Sequence, residues 1–345
     1  MLRSNFVSNF VLIFIVLASL VLPATATEPA DSSTSAPARG LLLVANKWEH
    51  TLGIVDPEAG RQLAKVTVGV NDHEVTASPD GRFAYVPVYG SSVVGQPGSD
   101  GRTVDVVDIK ARRVVASIDL GRPVRPHCPL FGPDGMLYVT AELANAVDVI
   151  DPETRKVVAS IPTDQPQSHM LVITRDGRRL YTSNISAGTV TAINLKARKP
   201  VAVIPVSKTA QRISISVDDR WVFTADQTKP QLAVIDTQTD QLKTWVPLPA
   251  KAFGTRPTLD GRWLLVTLPS ANQVAVVDLK SMQVTRTIDV PSAPQEILVR
   301  PDNGVAYVSC DESRKVAVVN LSSWQVEKLI DVGQGADGLA WAAQR

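Results

Sequence analysis

The chain lacks most of the features that announce a chemistry. Cysteine is nearly absent: Cys128 and Cys310 are the two in 345 residues, which excludes a disulfide framework as the source of stability. Charge of one sign is not in excess, since 35 Lys and Arg face 34 Asp and Glu for a formal net charge of +1. No bulk field draws the protein onto nucleic acid or an anionic membrane, and neither is expected as a partner. The sequence carries no H-E-x-x-H or C-x-x-C pattern, no Ser elbow, no phosphate-binding Gly loop and no dinucleotide fingerprint. Nucleophilic and nucleotide chemistry therefore lose their usual sequence support. Long segments of 3.6-residue periodicity are missing too, so helical repeats are excluded.

One apolar run is present, at residues 11–22, behind Arg3 and ahead of the small-residue pattern Ala24-Thr25-Ala26. Residues 1–26 read as an export signal, and the protein is expected to be secreted or periplasmic. The run is short of the roughly 20 residues a bilayer span needs, and no second one follows. No membrane span is expected in the mature chain. Residues 27–40 are largely Pro, Ser, Thr and Ala, a composition that buries too little apolar surface to order itself and reads as a flexible linker.

Residues 41–345 repeat. An apolar-apolar-acid or amide triplet recurs at Ile54-Val55-Asp56, Val106-Val107-Asp108, Val149-Ile150-Asp151, Ala192-Ile193-Asn194, Val234-Ile235-Asp236, Val276-Val277-Asp278 and Val318-Val319-Asn320, with spacings of 52, 43, 43, 42, 42 and 42. Within each copy the β-branched and aromatic runs are short and bounded by turn residues, which favours strands. In the third copy strands are expected at 136–140, 146–151, 157–161 and 169–174, separated by Asp134-Gly135, Pro152-Glu153-Thr154 and Asp176-Gly177 turns. Four strands every 42 or so residues is the period of a propeller blade. The expectation is an all-β, seven-bladed β-propeller of four-stranded antiparallel blades, closed by pairing residues 336–341 with the N-terminal residues 41–46.

The second strands read Tyr138-Val139-Thr140-Ala141, Tyr85-Val86-Pro87-Val88, Tyr181-Thr182-Ser183-Asn184 and Tyr307-Val308-Ser309-Cys310. They resemble the YVTN β-propeller repeats of surface-layer and lactonase-like proteins. The resemblance implies the fold but leaves the chemistry open, because such families include lactonase-like enzymes, propellers carrying haem d1 or copper clusters, and plain surface proteins.

Turns between strands one and two and between three and four lie on one face of a propeller, and all other connections on the opposite face. Seven residues before each Asp of the Asp-Gly-type turns stand His73, His127, His169, Gln211, Phe253 and Gln295, with Asp337 at the same register on the closing strand. Three of the four histidines thus start consecutive inner strands at the channel mouth, and the fourth, His50, falls in a connection on the same face. Glu74, Glu142, Glu296, Arg125, Arg212 and Asp337 are expected around them, mixing both signs as a polar-ligand or acid/base site would. Three readings stay open: a divalent metal held by His73, His127 and His169, a metal-free ligand or acid/base site, or a capping residue inherited with the repeat. An enzyme of this kind would perform metal-assisted hydrolysis or elimination with Glu74, Glu142 or Glu296 as base, the lactone or sugar-acid substrate being implied by the resemblance alone. His50, Arg125, Arg212, Gln211, Gln295 and Asp337 would then contact the ligand. The competing function is a non-catalytic scaffold docking a protein or polysaccharide on that face. A monomer is expected. About ten extra residues within 88–102 form a loop on the histidine face, read either as a lid or as a tolerated insertion.

Overall fold

The computed structural model describes residues 1–2, 39–91, 94 and 96–344. The signal-peptide reading and most of the linker reading fall outside the described residues. Among the described residues, strands β1 to β28, numbered in chain order, form seven four-stranded antiparallel sheets. The expected propeller is the observed one. In the third repeat the strands are Leu137–Ala141, Ala146–Asp151, Lys156–Pro162 and Ser168–Ile173, each boundary within one residue of expectation, and the last of them opens the next blade.

Ring closure also follows expectation. β28 (Ala336–Ala343) pairs with β1 (Gly40–Asn46), Gly40 opposite Ala343 and Leu42 opposite Trp341. β2 (Thr51–Asp56) and β3 (Arg61–Thr67) complete that blade outward. One sheet therefore joins the two ends of the ring, so that opening it breaks a full strand ladder rather than a loop contact.

The recurrent triplet has a local cause. Its two apolar residues lie on a strand covered on both faces, as in β2, where Leu52, Ile54 and Val55 are buried. Each such side chain contributes about 1.5–3 kcal/mol by leaving water. Its acid or amide ends the strand by accepting backbone N–H groups of the next turn: Asp56 from Glu58 and Ala59, Asp151 from Glu153, Asp278 from Lys280 and Ser281. That is the self-capping for which Asp and Asn are suited. The Asp-Gly turns repeat the device, Asp80 accepting from Arg82 N and Asp176 from Arg178 N.

The inner strands position the site. They are β4 (Thr76–Ala77), β8 (Pro126–Phe131), β12 (Ser168–Ile173), β16 (Ala210–Ile215), β20 (Thr255–Pro257), β24 (Pro294–Val299) and β28. All run from the histidine face to the turn face. The extra residues near position 90 lengthen one hairpin, so that β5 (Phe83–Gly90) meets β6 (Asp100–Asp108) with Gly90 opposite Asp100. Gly101 is required there, since a Cβ would sit 1.8 Å from the Val88 carbonyl oxygen.

Candidate functional site

Several inner strands begin with a β-bulge. The ladder shifts register between Pro126 and Pro129, Ser168 and Met170, Ala210 and Ile213, and Pro294 and Ile297. A bulge breaks the alternation of side chains, so neighbouring residues such as Gln211 and Arg212, or Gln295 and Glu296, both serve the channel end. Two groupings result, an outer layer of histidines and amides and a charged layer centred on Glu74, Arg212 and Glu296, one residue further along their strands.

In the outer layer His73, His127 and His169 stack in order. Ring centroids are 5.1 Å apart for the first pair and 3.6 Å for the second, with interplanar angles of 39° and 30°. His127 and His169 are buried, and His73 is half-buried. Tyr89 sets its ring edge-on to His73 at 5.0 Å and to His127 at 5.8 Å. A directed hydrogen-bond chain ends at Glu142: Gln227 Nε2 donates to Gln211 Oε1 at 2.6 Å, and Gln211 Nε2 donates to His169 Nε2 at 3.1 Å. His169 Nδ1–H then donates to Glu142, whose other oxygen accepts from Tyr89 OH at 2.7 Å. Glu142 reaches this place because β9 (Leu137–Ala141) ends in a 3₁₀ turn, Glu142–Ala144, closed by Asn145 at a left-handed φ of 51°.

His73 is held differently. Its Nδ1–H donates to the Asn71 carbonyl at 3.1 Å, leaving Nε2 as a lone pair. Burial, helped by Lys47, His169 and Arg212 against the pull of Asp337, pushes its pKa down to about 3, so the ring is neutral at ordinary pH. Burial, then the other two imidazoles, also hold His127 well below the usual histidine range. Among the described residues His127 Nδ1 is buried without a hydrogen-bond partner.

The charged layer is centred on Arg212. Its guanidinium lies 2.6 Å from Glu74 Oε1 and 2.5 Å from Asp337 Oδ1, and it also grips Glu296. Asp337 continues to Lys47 at 2.9 Å, Lys47 to Asp311 at 2.9 Å, and Glu296 to Arg256 at 3.1 Å. Burial would raise the Asp337 carboxyl, but Lys47 and Arg212 outweigh it and hold it down to about 2. For Glu74 burial wins over Arg212, with Glu296 and Asp337 adding to it, and the carboxyl is pushed up to about 8. Three cations thus meet four carboxyls, one of them protonated at neutral pH.

Beneath this layer a cavity of about 360 Å³ occupies the rest of the channel, reaching Glu74, Cys128, Arg256 and Glu296 at its inner end. Burial raises the Cys128 thiol to about 12, which leaves it inert.

The expected residues fall into three groups. His73, His127, His169, Glu142 and Gln211 come together as one aromatic and hydrogen-bonded layer. Glu74, Glu296, Arg212 and Asp337 form the charged layer. The other three make different contacts: His50 Nδ1 accepts Asn71 N at 3.0 Å, Gln295 donates to the Ala293 carbonyl, and Arg125, its guanidinium 5.8 Å over the Tyr89 ring, ties down the inserted hairpin through Asp100 Oδ1 at 2.6 Å and the Gln96 carbonyl at 2.9 Å. Sequence reasoning missed Lys47, Tyr89, Asp311, Gln227 and Arg256. Tyr89 could have been found, since it stands where the insertion lengthens its strand.

The stacked rings do not suit a shared metal. An imidazole binds an ion in its own ring plane about 2.0–2.1 Å from nitrogen, and rings 3.6 Å apart at 30° cannot both aim at one point so close. Among the described residues no group of three or more His, Cys, Asp or Glu is arranged to hold a metal ion. Nor is any helix among them long and apolar enough to cross a membrane.

Comparison with known proteins agrees with the ring. The model of the YNCE-like beta-propeller family matches residues 5–344. No curated protein matches the chain in sequence. Among solved structures, hydrazine synthase of Kuenenia stuttgartiensis is similar with a TM-score of 0.73 and 20% identity, over 83% of this chain and 94% of that one. A functionally unknown protein from Desulfotomaculum acetoxidans superposes with a TM-score of 0.73 at 14% identity, over 89% and 100%. Dihydro-heme d1 dehydrogenase NirN in complex with DHE gives 0.65 at 17% identity, over 91% and 78%. At these identities the likeness extends to the fold alone, and the expected YVTN kinship stands as membership of a propeller repeat family.

Proposed function

Because the chain belongs to the YNCE-like beta-propeller family, whose common property is a ring with a central channel, we propose that it is a binding propeller that takes a small polar ligand at the histidine mouth. The observation that carries this reading is His73: half-buried at the mouth, fixed at Nδ1 by Asn71 O, neutral, and offering an unprotonated Nε2. Half-buried Gln211 and Phe253 share its register, supplying an amide and an apolar face to a ligand rich in hydroxyl groups.

Binding is favoured over catalysis by the state of the three glutamates. Glu142 is spent on His169 and Tyr89, and Glu296 on Arg212 and Arg256. Glu74 pairs with Arg212 in the layer below. A general base needs an open path to the proton it removes, and none of these carboxyls stands beside the mouth unpaired. Export is part of the proposal, supported by the apolar run at residues 11–22 and the Ala24-Thr25-Ala26 pattern.

The test is calorimetric titration of the mature chain with glucuronate and gluconolactone. One-to-one binding of one of them, weakened about tenfold in His73→Ala and in Gln211→Ala as expected for one lost hydrogen bond to a buried ligand, would support the reading. Binding unchanged in both variants, or none of either probe at millimolar concentration, would overturn it.

A further inference from the structure

The channel has a second, chemically different end. Below the charged layer its wall is formed by Leu130, Val172, Ile215, Leu298 and Trp341, all half-buried although they point inward from the inner strands. Apolar side chains left facing a cavity with a polar floor have one economical partner, an apolar body that replaces water. Trp341 is pinned for the role, stacked on Tyr307 at 6.1 Å and 13°.

The floor decides the headgroup. Glu296 has both oxygens engaged, one by Arg212 and one by Arg256, and Glu74 is held by Arg212. No free carboxylate is left to receive a cation. Arg212 does not line the cavity, and the unspent donor that does belongs to Arg256, which gives Nε to the Ile297 carbonyl at 3.0 Å and Nη2 to Glu296 at 3.1 Å. Its Nη1 makes no hydrogen bond among the described residues, and its side chain is 41% exposed. We infer that the turn-face end of the channel is a binding site for a small apolar carboxylate, its head on Arg256 and its body against Trp341 and the aliphatic wall. Glu74, protonated at neutral pH, stands at the same floor as a neutral donor rather than a repelling charge. The cavity, about 360 Å³, lies at the small end of the range that binds organic ligands, so long acyl chains are excluded.

This site does not rest on the histidine-mouth reading, and the experiment keeps the two apart. The mature chain is titrated with hexanoate and phenylacetate, with hexanol as the uncharged control. Saturable one-to-one binding of an acid is expected, at least tenfold weaker for hexanol and in Arg256→Gln, abolished in Ile215→Trp, which fills the bore, and unchanged in His73→Ala. Circular dichroism and thermal melting establish that each variant is folded; should Ile215→Trp fail to fold, Val172→Phe takes its place. Equal affinity in Arg256→Gln and the unaltered chain, full binding in the filled bore, or no saturable binding of either acid overturns the proposal.

Discussion

The two ends of the channel are built from the same seven inner strands and could hardly differ more. At the histidine end the bore is filled, by three stacked imidazoles over an Arg212-centred knot of charges that ties Glu74, Glu296 and Asp337 together. At the turn end it stays open, lined by half-buried aliphatic side chains and Trp341. The backbone repeat does not distinguish the ends, so the chemistry is carried by which side chain each blade places at a given register. In two of the inner strands the bulge brings two polar residues to one end, Gln211 with Arg212 and Gln295 with Glu296, and regular alternation resumes toward the other.

The comparison breaks most visibly at Arg212. It is buried, and its removal in Arg212→Leu leaves Glu74, Glu296 and Asp337 without their common partner. Stranding a buried charge costs about 3–5 kcal/mol, and urea denaturation at pH 7 should read a loss of that size. Arg256→Gln, at the half-exposed edge of the same network, should lose under about 1 kcal/mol. Similar losses for the two would mean that the charged layer is not sealed from the open end.

A smaller effect is expected at Glu74. Its folded-state pKa, raised to about 8, exceeds the unfolded value, so the native state holds the proton more tightly. The resulting stability is fully present below about pH 4.5 and drains away as pH climbs to 8. Asp337, held down to about 2, acts oppositely: its contribution is present above the usual Asp range and lost as pH falls toward 2. Denaturation at pH 5 and pH 8 should show a difference of a few kcal/mol that Glu74→Gln removes, since each tenfold change in proton affinity is worth about 1.4 kcal/mol. An undiminished slope in Glu74→Gln would place the titrating group elsewhere.

The fold was legible because its repeat is written twice, in the buried apolar pairs and in the Asp or Asn that caps the turn after them; both are local and survive divergence between blades. The histidine register was legible for the same reason, being counted from a turn that six of the seven blades share. The charged layer was only half legible. Glu74, Arg212 and Glu296 stand one residue past the counted register; Arg212 and Glu296 enter the channel through bulges and Glu74 just ahead of its short strand, neither of which hydrophobic alternation announces. Lys47 and Asp311 stand just past a second strand, where other blades place Glu142 and Gln227, and Arg256 stands at the strand position of Leu130, Val172 and Leu298, so the position repeats while the residue type does not. The metal tripod read from the sequence is disfavoured by the packing of His127 on His169, whose rings lie 3.6 Å apart at 30°, too close for both lone pairs to point at one ion.

His127 offers the finest probe, with almost no change expected at neutral pH. Its ring is buried between two others and its Nδ1 has no hydrogen-bond partner among the described residues, so an apolar ring of similar shape gives up little. Phe253 already occupies this register on another blade, evidence that the backbone accepts the larger ring. His127→Phe should therefore match the unaltered chain within about 1 kcal/mol at pH 7. Acid separates them. With its folded-state pKa held well below the usual histidine value, His127 contributes stability that is present above about pH 6.5 and lost as pH falls, because the unfolded chain takes up the proton first. At pH 5 the variant should be the more stable by about 2 kcal/mol, measured by urea denaturation at both pH values. A variant much weaker at pH 7 would show that the imidazole is kept for packing; equal stability there, joined to lost ligand binding at the mouth, would show that the histidine end is kept for what it holds.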